Sequence, residues 1–332
     1  MEYRETLLWG LILVIVLACK SEEKKMIVCW GDSLTAPHNG RGIKGKLKRL
    51  VMGTDYPGYL EEMLGSGFEV INAGVGGENS LTIMARQGAY PMKLAHDVVL
   101  TSDDKTPISN NDTVTFVSAY NGIEVGPLHQ YTWKPEGPSQ INPCRIGKHT
   151  LMLSSDIQSN GKCNYYLTPE SKLTEHDTLR KGSIVTTYAM SNLRGKYANV
   201  FFIGQNGGFS NVADLIRQLR AMIAYSQSSR YIVISFHKTN HVINTIPRMI
   251  EMEDSLSMCF GQHYINLRKY MVTNGLTDAK YMATQADKDS IAKGVVPPQL
   301  LVDDCHFTTT GYNIIAKLVY ERMKELGYAP YE

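Results

Sequence analysis

Residues 27–36 of this chain read IVCWGDSLTA, and the reading of this stretch decides the fold. Four apolar residues, Ile27 to Trp30, stop abruptly at Gly-Asp-Ser, as a short buried strand does when it enters a tight turn. Taken locally, Asp32 and Ser33 are ordinary turn and helix-cap residues, because a short side-chain oxygen satisfies the free N–H groups of the next turn. The alternative is a serine nucleophile held at the end of a strand, and the rest of the chain has to decide between the two.

Working outward, strand-like and helix-like segments alternate. MIVCW (26–30) is a strand, YPGYLEEMLG (56–65) a helix closed by glycine, and FEVINAG (68–74) a second strand. SLTIMARQGAY (80–90) is a second helix with Asn79 or Ser80 as its cap. Further along, NVFFIG (199–204), YIVISF (231–236) and HYINL (263–267) read as strands. NVADLIRQLRAMIAYSQ (211–227) is an amphipathic helix with apolar Val212, Leu215, Leu219, Met222 and Ile223, and GYNIIAKLVYERMKELG (311–327) is a terminal helix. Short, continuously apolar strands separated by helices imply an α/β fold whose parallel sheet is covered on both faces. Ligands in such a sheet sit outside the carboxyl ends of the strands. The loops GDSLT, AGVGGENS and GQNGG are therefore expected to converge. Between about Val98 and Arg194 the rhythm breaks into β-branched and aromatic runs split by Asn, Gly, Asp and Pro, which read as hairpins or a small β-rich subdomain.

The chain of 332 residues is long enough for one large domain or two ordinary ones, and 43% hydrophobic with 20% charged residues is the composition of a folded protein. A net charge of +2, with KGKLKR (44–49) as the one short basic run, argues against nucleic acid as a partner. Thr6 to Ala18 is an apolar run too short to span a bilayer comfortably, with the length of a signal-peptide core. VLAC (16–19) resembles a bacterial lipobox, which makes Cys19 a lipidation candidate, residues 1–25 an anchor and linker, and the protein an exported cell-envelope lipoprotein. Val16 stands where leucine is usual, and Glu2 and Glu5 oppose the expected positive start. The other five cysteines, Cys29, Cys144, Cys163, Cys259 and Cys305, form neither a disulfide framework nor a zinc spacing. A single bridge, such as Cys144–Cys163, is left open.

Two nucleotide-like motifs fail on inspection. GRGIKGKL (40–47) has Leu47 where a phosphate loop needs Ser or Thr, and GVGGEN (74–79) ends on Asn79 instead of glycine. Ser33 is not flanked as in G-x-S-x-G, and there is no H-E-x-x-H. No cofactor and no metal are expected. LVDDCHFTTTGYNIIAKL (301–318), in contrast, places Asp303 three residues before His306, just ahead of a helix. A turn of that length brings the carboxylate to the imidazole Nδ1–H and leaves Nε2 as a base. The last helix of a doubly wound sheet commonly returns beside the first strands, so His306 is expected to meet Ser33.

Four blocks together resemble the SGNH/GDSL hydrolase family of serine esterases: GDSL (31–34), NAGVGG (72–77), GQN (204–206) and DDCH (303–306). The resemblance implies a three-layer α/β/α, flavodoxin-like fold over residues 26–332, interrupted by the β-rich insertion at about 98–194. It implies a catalytic triad of Ser33, His306 and Asp303, and an oxyanion hole formed by the N–H groups of Ser33 and Gly77 and the side chain of Asn206. Asp32 reads as support for the turn and Asp304 as a solvated neighbour. Gly207 stands where the family has aspartate after the block-three asparagine, and the long insertion replaces a short connection. The implied activity is hydrolysis of a small-molecule or polysaccharide ester, first of all carbohydrate O-deacetylation. A lysophospholipase or thioesterase for small acyl groups, and a glycan-binding protein without turnover, are the alternatives. Tyr120, Tyr131, Trp133, Tyr165 and Tyr166 of the insertion either stack on sugar rings or pack a core. Membrane contact is expected only through the anchor, and the sequence leaves the oligomeric state undetermined.

Overall fold

The computed structural model describes residues 23–36, 55–100, 105–109, 114–127, 141–157, 163–171 and 177–330. Cys19 and the apolar run before it, GRGIKGKL, KGKLKR, Tyr131 and Trp133 lie outside the described residues.

The first half of the sheet is β1 (Lys25–Gly31), α1 (Tyr56–Leu64), β2 (Phe68–Gly74) and α2 (Ser80–Gln87). The inserted stretch holds β3 (Met92–Leu94), β4 (Val98–Leu100), β5 (Thr106–Pro107), β6 (Phe116–Ser118), β7 (Cys144–Ile146), β8 (His149–Ile157), β9 (Cys163–Pro169), β10 (Asp177–Leu179) and the short α3 (Tyr188–Asn192). The second half is β11 (Ala198–Phe202), α4 (Val212–Ser226), β12 (Tyr231–Ile234), α5 (Ile246–Phe260), β13 (Tyr264–Ile265), α6 (Leu267–Thr273), α7 (Gly275–Asp278), α8 (Gln285–Ala292) and α9 (Thr309–Glu325).

β2, β1, β11, β12 and β13 lie side by side in that order, all parallel, with Trp30 opposite Ala73 on one side and Phe201 on the other. Counting only the core strands, the order is 2-1-3-4-5, and the sequence of strands reverses between β1 and β11. Alternate residues serve opposite faces. Val28, Trp30, Phe201 and Val233 are buried with α2, α4 and α5, whereas Ile27, Cys29, Val200 and Ile234 are buried with α1, α6 and α9. This explains why the centres of β1, β11 and β12 are nearly continuously apolar: most of their positions remove a side chain from water, at about 1.5–3 kcal/mol for a large one.

IPRMIEMEDSLSMCF, to which the sequence reading assigned no element, is α5, with Pro247 in its first turn and Met249, Met252, Leu256 and Phe260 buried. HYINL was expected to be a strand throughout, but pairing stops at Ile265 because Asn266 caps α6, its side chain accepting the Lys269 N–H at 3.1 Å.

Among the described residues the insertion forms three small antiparallel sheets, and its pairing begins at Met92, ahead of Val98. Its buried residues Phe116, Leu151, Leu153, Leu167 and Val185 belong to the same apolar cluster as Trp30 and Phe201. Among the described residues, the insertion therefore thickens one face of the sheet and shares its apolar cluster. Tyr120 and Tyr165 are structural: Tyr120 donates to Asp214 Oδ1 at 2.5 Å and packs edge-on against Tyr90, while Tyr165 donates to Pro127 O at 2.7 Å. Tyr166 lies under the Lys105 ammonium, 3.9 Å from its ring centre. The Cys144–Cys163 bridge left open by the sequence is not formed, and both thiols are free. The register explains it: Cys144 pairs with Leu151, which pairs with Pro169, six positions along β9 from Cys163, roughly 20 Å of strand.

Candidate active site

Gly31 ends β1 where nothing larger fits. A Cβ there would stand 2.0 Å from Thr35 Oγ1 and 2.6 Å from Phe202 O. The chain then turns on Asp32. Its carbonyl accepts the N–H groups of Thr35 and Ala36 at 3.0 Å each, and its Oδ1 accepts that of Leu34 at 2.9 Å. Asp32 is 1% exposed, and this burial pushes its carboxyl up to about 7 despite the Leu34 N–H. Ser33 stands at the apex of the turn, half-buried.

The three glycine-containing loops meet at this turn. Val75 N donates to Gly31 O at 3.0 Å, and Asn72 Nδ2 to Thr35 O at 3.0 Å, which ties the loop after β2 to the turn. The loop after β11 is tied to the loop after β2 by Ser80 N to Gly207 O and Asn206 Nδ2 to Glu78 O, both 3.0 Å. Asn206 Nδ2 also faces Asp32 Oδ2 at 3.4 Å, long for a hydrogen bond. Gly77 and Asn206 are exposed on this surface. The backbone N–H groups of Ser33 and Gly77 make no hydrogen bond among the described residues.

His306 arrives from the other side. Residues 301–308 fold back on themselves, with Val302 N bonded to His306 O and Thr308 N to Leu300 O, both at 2.8 Å. Asp303 organises the interior of this loop: Oδ1 accepts the N–H groups of Cys305 and His306 at 2.7 and 2.6 Å, and Oδ2 accepts His306 Nδ1 at 2.8 Å. Partial burial alone would raise the Asp303 carboxyl, but these hydrogen bonds outweigh it and hold the group below its ordinary value. Beside an ionised Asp303 the proton of a neutral imidazole lies on Nδ1, which leaves Nε2 its lone pair. Ser33 Oγ lies 2.8 Å from that atom. Ser33, distant in sequence, is thus in hydrogen-bonding contact with the His306–Asp303 pair, and Asn206 and Gly77 flank the serine turn.

Several residues that matter here went unread in the sequence. Glu78 and Arg86 form a buried two-point ion pair, Nη2 to Oε2 at 2.8 Å and Nε to Oε1 at 3.2 Å, beneath the loop that carries Gly77. Arg86 also donates to Ala73 O at 2.9 Å and lies over the Trp30 ring. Burial raises the Glu78 carboxyl and the guanidinium opposes it. The signal was a lone arginine in an otherwise uncharged helix, SLTIMARQ. HKTNH follows YIVISF directly, the same strand-end position as the other three loops, but without a glycine to mark it. Its His237 is 3% exposed against the Phe307 ring, and burial depresses the imidazole to about 3, so it stays neutral. Lys238 is ion-paired with Asp304, whose side chain is nonetheless 84% exposed, in keeping with its reading as a solvated neighbour of Asp303. Among the described residues no group of three or more His, Cys, Asp or Glu is placed to hold a metal ion, and no helix is long and apolar enough to cross a membrane.

No family model matches the chain, and no curated protein matches it significantly. Among solved structures it is similar to the native aryl esterase of M. smegmatis, at 12% identity over 91% of this chain and 99% of that one, with a TM-score of 0.37. It is also similar to protein YXIM from Bacillus subtilis, at 10% identity over 71% of this chain and 92% of that one, with a TM-score of 0.28. Likeness at this level assigns neither family nor activity.

Proposed function

We propose that this chain is a serine esterase of the SGNH/GDSL type and that its substrates are O-acetylated carbohydrates. The observation that carries the reading is the unbroken contact from Ser33 Oγ to His306 Nε2 and from His306 Nδ1 to Asp303, each 2.8 Å. In this reading Ser33 attacks the ester carbonyl while His306 takes its proton, and Asp303 stabilises the imidazolium that forms. The oxyanion is received by the unclaimed N–H groups of Ser33 and Gly77 and by the Asn206 amide proton that now faces Asp32 at long range. His306 then protonates the leaving alcohol, and water attacks the acyl-serine to restore the enzyme.

The exposed, polar surroundings of Ser33 favour a small acyl group on a hydrated alcohol over a long aliphatic chain. The N-terminal run and Cys19 add a proposed export signal and lipid anchor, which a palmitate-analogue label lost in Cys19→Ala would support.

Fluorophosphonate labelling with intact-mass readout tests the core of the proposal. One adduct on the wild type, absent from Ser33→Ala and His306→Ala, is expected. No adduct on a folded wild type would overturn it. Hydrolysis of p-nitrophenyl acetate through octanoate then grades the acyl pocket, with acetate expected to be the best substrate.

A further inference from the structure

Resting on the esterase reading, we propose that His241 is a substrate-reading residue, making a hydrogen bond to a neutral hydroxyl beside the scissile ester. The loop after β12 is fixed against the loop after β11. Asn240 Nδ2 donates to Gly204 O at 3.0 Å and Gln205 O at 3.2 Å, and its Oδ1 accepts the N–H groups of Val242 and Ile243 at 2.9 and 2.8 Å. Gln205 and Lys238 add a reciprocal pair, Nε2 to O at 3.0 Å and N to Oε1 at 3.3 Å. His241, between two pinned residues, is therefore held in place by its backbone, whatever its ring does.

The ring lies on Gly207, next in sequence to Asn206. Gly207 has φ +73°, and a Cβ there would stand 2.3 Å from His241 Cε1 and 2.7 Å from Nε2. The imidazole thus fills the space that a side chain at position 207 would take, beside an exposed Asn206 and on the exposed surface itself. Its nitrogens make no hydrogen bond among the described residues. Polar side chains of the two loops are committed, Gln205 and Asn240 to the backbone and Lys238 to Asp304.

The charge around the site selects the ligand. Asp303 and Asp304 are exposed at the mouth, and Lys238 is already paired. A carboxylate on the substrate would meet net negative charge, whereas a hydroxyl would not. The fitting class is a neutral polyol ester, with a free hydroxyl on the carbon next to the acetylated one.

The test uses a monoacetylated methyl xylopyranoside, bound by calorimetry to Ser33→Ala so that nothing turns over. Adding His241→Ala should weaken Kd roughly fivefold, the size of one hydrogen bond between neutral groups, while His241→Gln should recover most of the loss. In the intact-serine background, the ratio of kcat/KM for the xyloside to that for p-nitrophenyl acetate should fall about fivefold in His241→Ala, through KM. Unchanged xyloside binding, no binding by Ser33→Ala, or equal losses on both esters would each overturn the role of His241. Fluorophosphonate labelling of the same preparations reports separately on the esterase reading: unlabelled serine with His241-dependent xyloside binding would sink that reading alone.

Discussion

Two carboxylates flank Ser33, and they live in opposite regimes. Asp303 sits in a solvent-facing loop, about a third of its side chain exposed, and is held ionised by two backbone N–H groups and the His306 ring. Asp32 lies under the serine turn, 1% exposed, and burial drives its carboxyl up to about 7. The first is built from neighbours three residues apart. The second lies beneath an exposed Asn206, which also bonds the carbonyl of Glu78, itself buried against Arg86, so that its surroundings are assembled from the loops after three strands. The side proposed for acid–base chemistry is thus a local device, and the side proposed for the oxyanion is a product of the whole sheet. Residues on the two sides should fail differently.

The largest effect is expected on the local side. Ser33→Ala and His306→Ala should each lower kcat/KM on p-nitrophenyl acetate by at least about 10⁴-fold with little change in unfolding free energy, because the loop carries its own hydrogen bonds. A residual rate within tenfold of wild type would break the assignment. On the other side the first casualty should be stability. Arg86→Ala leaves Glu78 buried and unpaired, at about 3–5 kcal/mol, read by urea denaturation. A loss under about 1 kcal/mol would mean that Glu78 simply takes up a proton and the pair is dispensable.

The two carboxylates also predict opposite pH dependences. Asp303, lowered when folded, adds stability above its ordinary value, and this is lost as pH falls through its folded value. Asp32, raised when folded, does the reverse. Between about pH 4 and 7 the unfolded chain has released that proton and the folded protein has not, so stability declines as pH rises through this window and is flat above it. The span is about 4 kcal/mol for a shift of this size. Asp32→Asn should flatten the slope between pH 5 and pH 8. An undiminished slope would show that Asp32 is ionised in the folded protein. Asn206→Ala should lower kcat by 10²- to 10³-fold, about 3 kcal/mol, with the melting temperature maintained. Normal turnover would remove Asn206 from the oxyanion role. The smallest effect belongs to Asn79, whose side chain caps α2 through the Thr82 N–H at 3.0 Å. Asn79→Ala should cost about 1 kcal/mol of stability, and a much larger loss would show that α2 supports the Gly77 loop through that cap.

How much of this was legible in the sequence follows the same division. Strand ends, the Asp303–His306 spacing and the alternation of βα units are written in short windows, because a strand buried on both faces is continuously apolar and a three-residue turn joins a carboxylate to its imidazole. Those windows determined the α/β class, the order of the main elements around the site, and where Ser33 and His306 lie in it. Only the tertiary structure decided that Arg86 reaches Glu78, that His237 is buried against Phe307, that the insertion shares the core of the sheet, and that His241 occupies the space over Gly207. The physical reason is distance along the chain. Burial and ion pairing depend on which surfaces the fold presses together, and no local window records the neighbour that removes a charged or polar group from water.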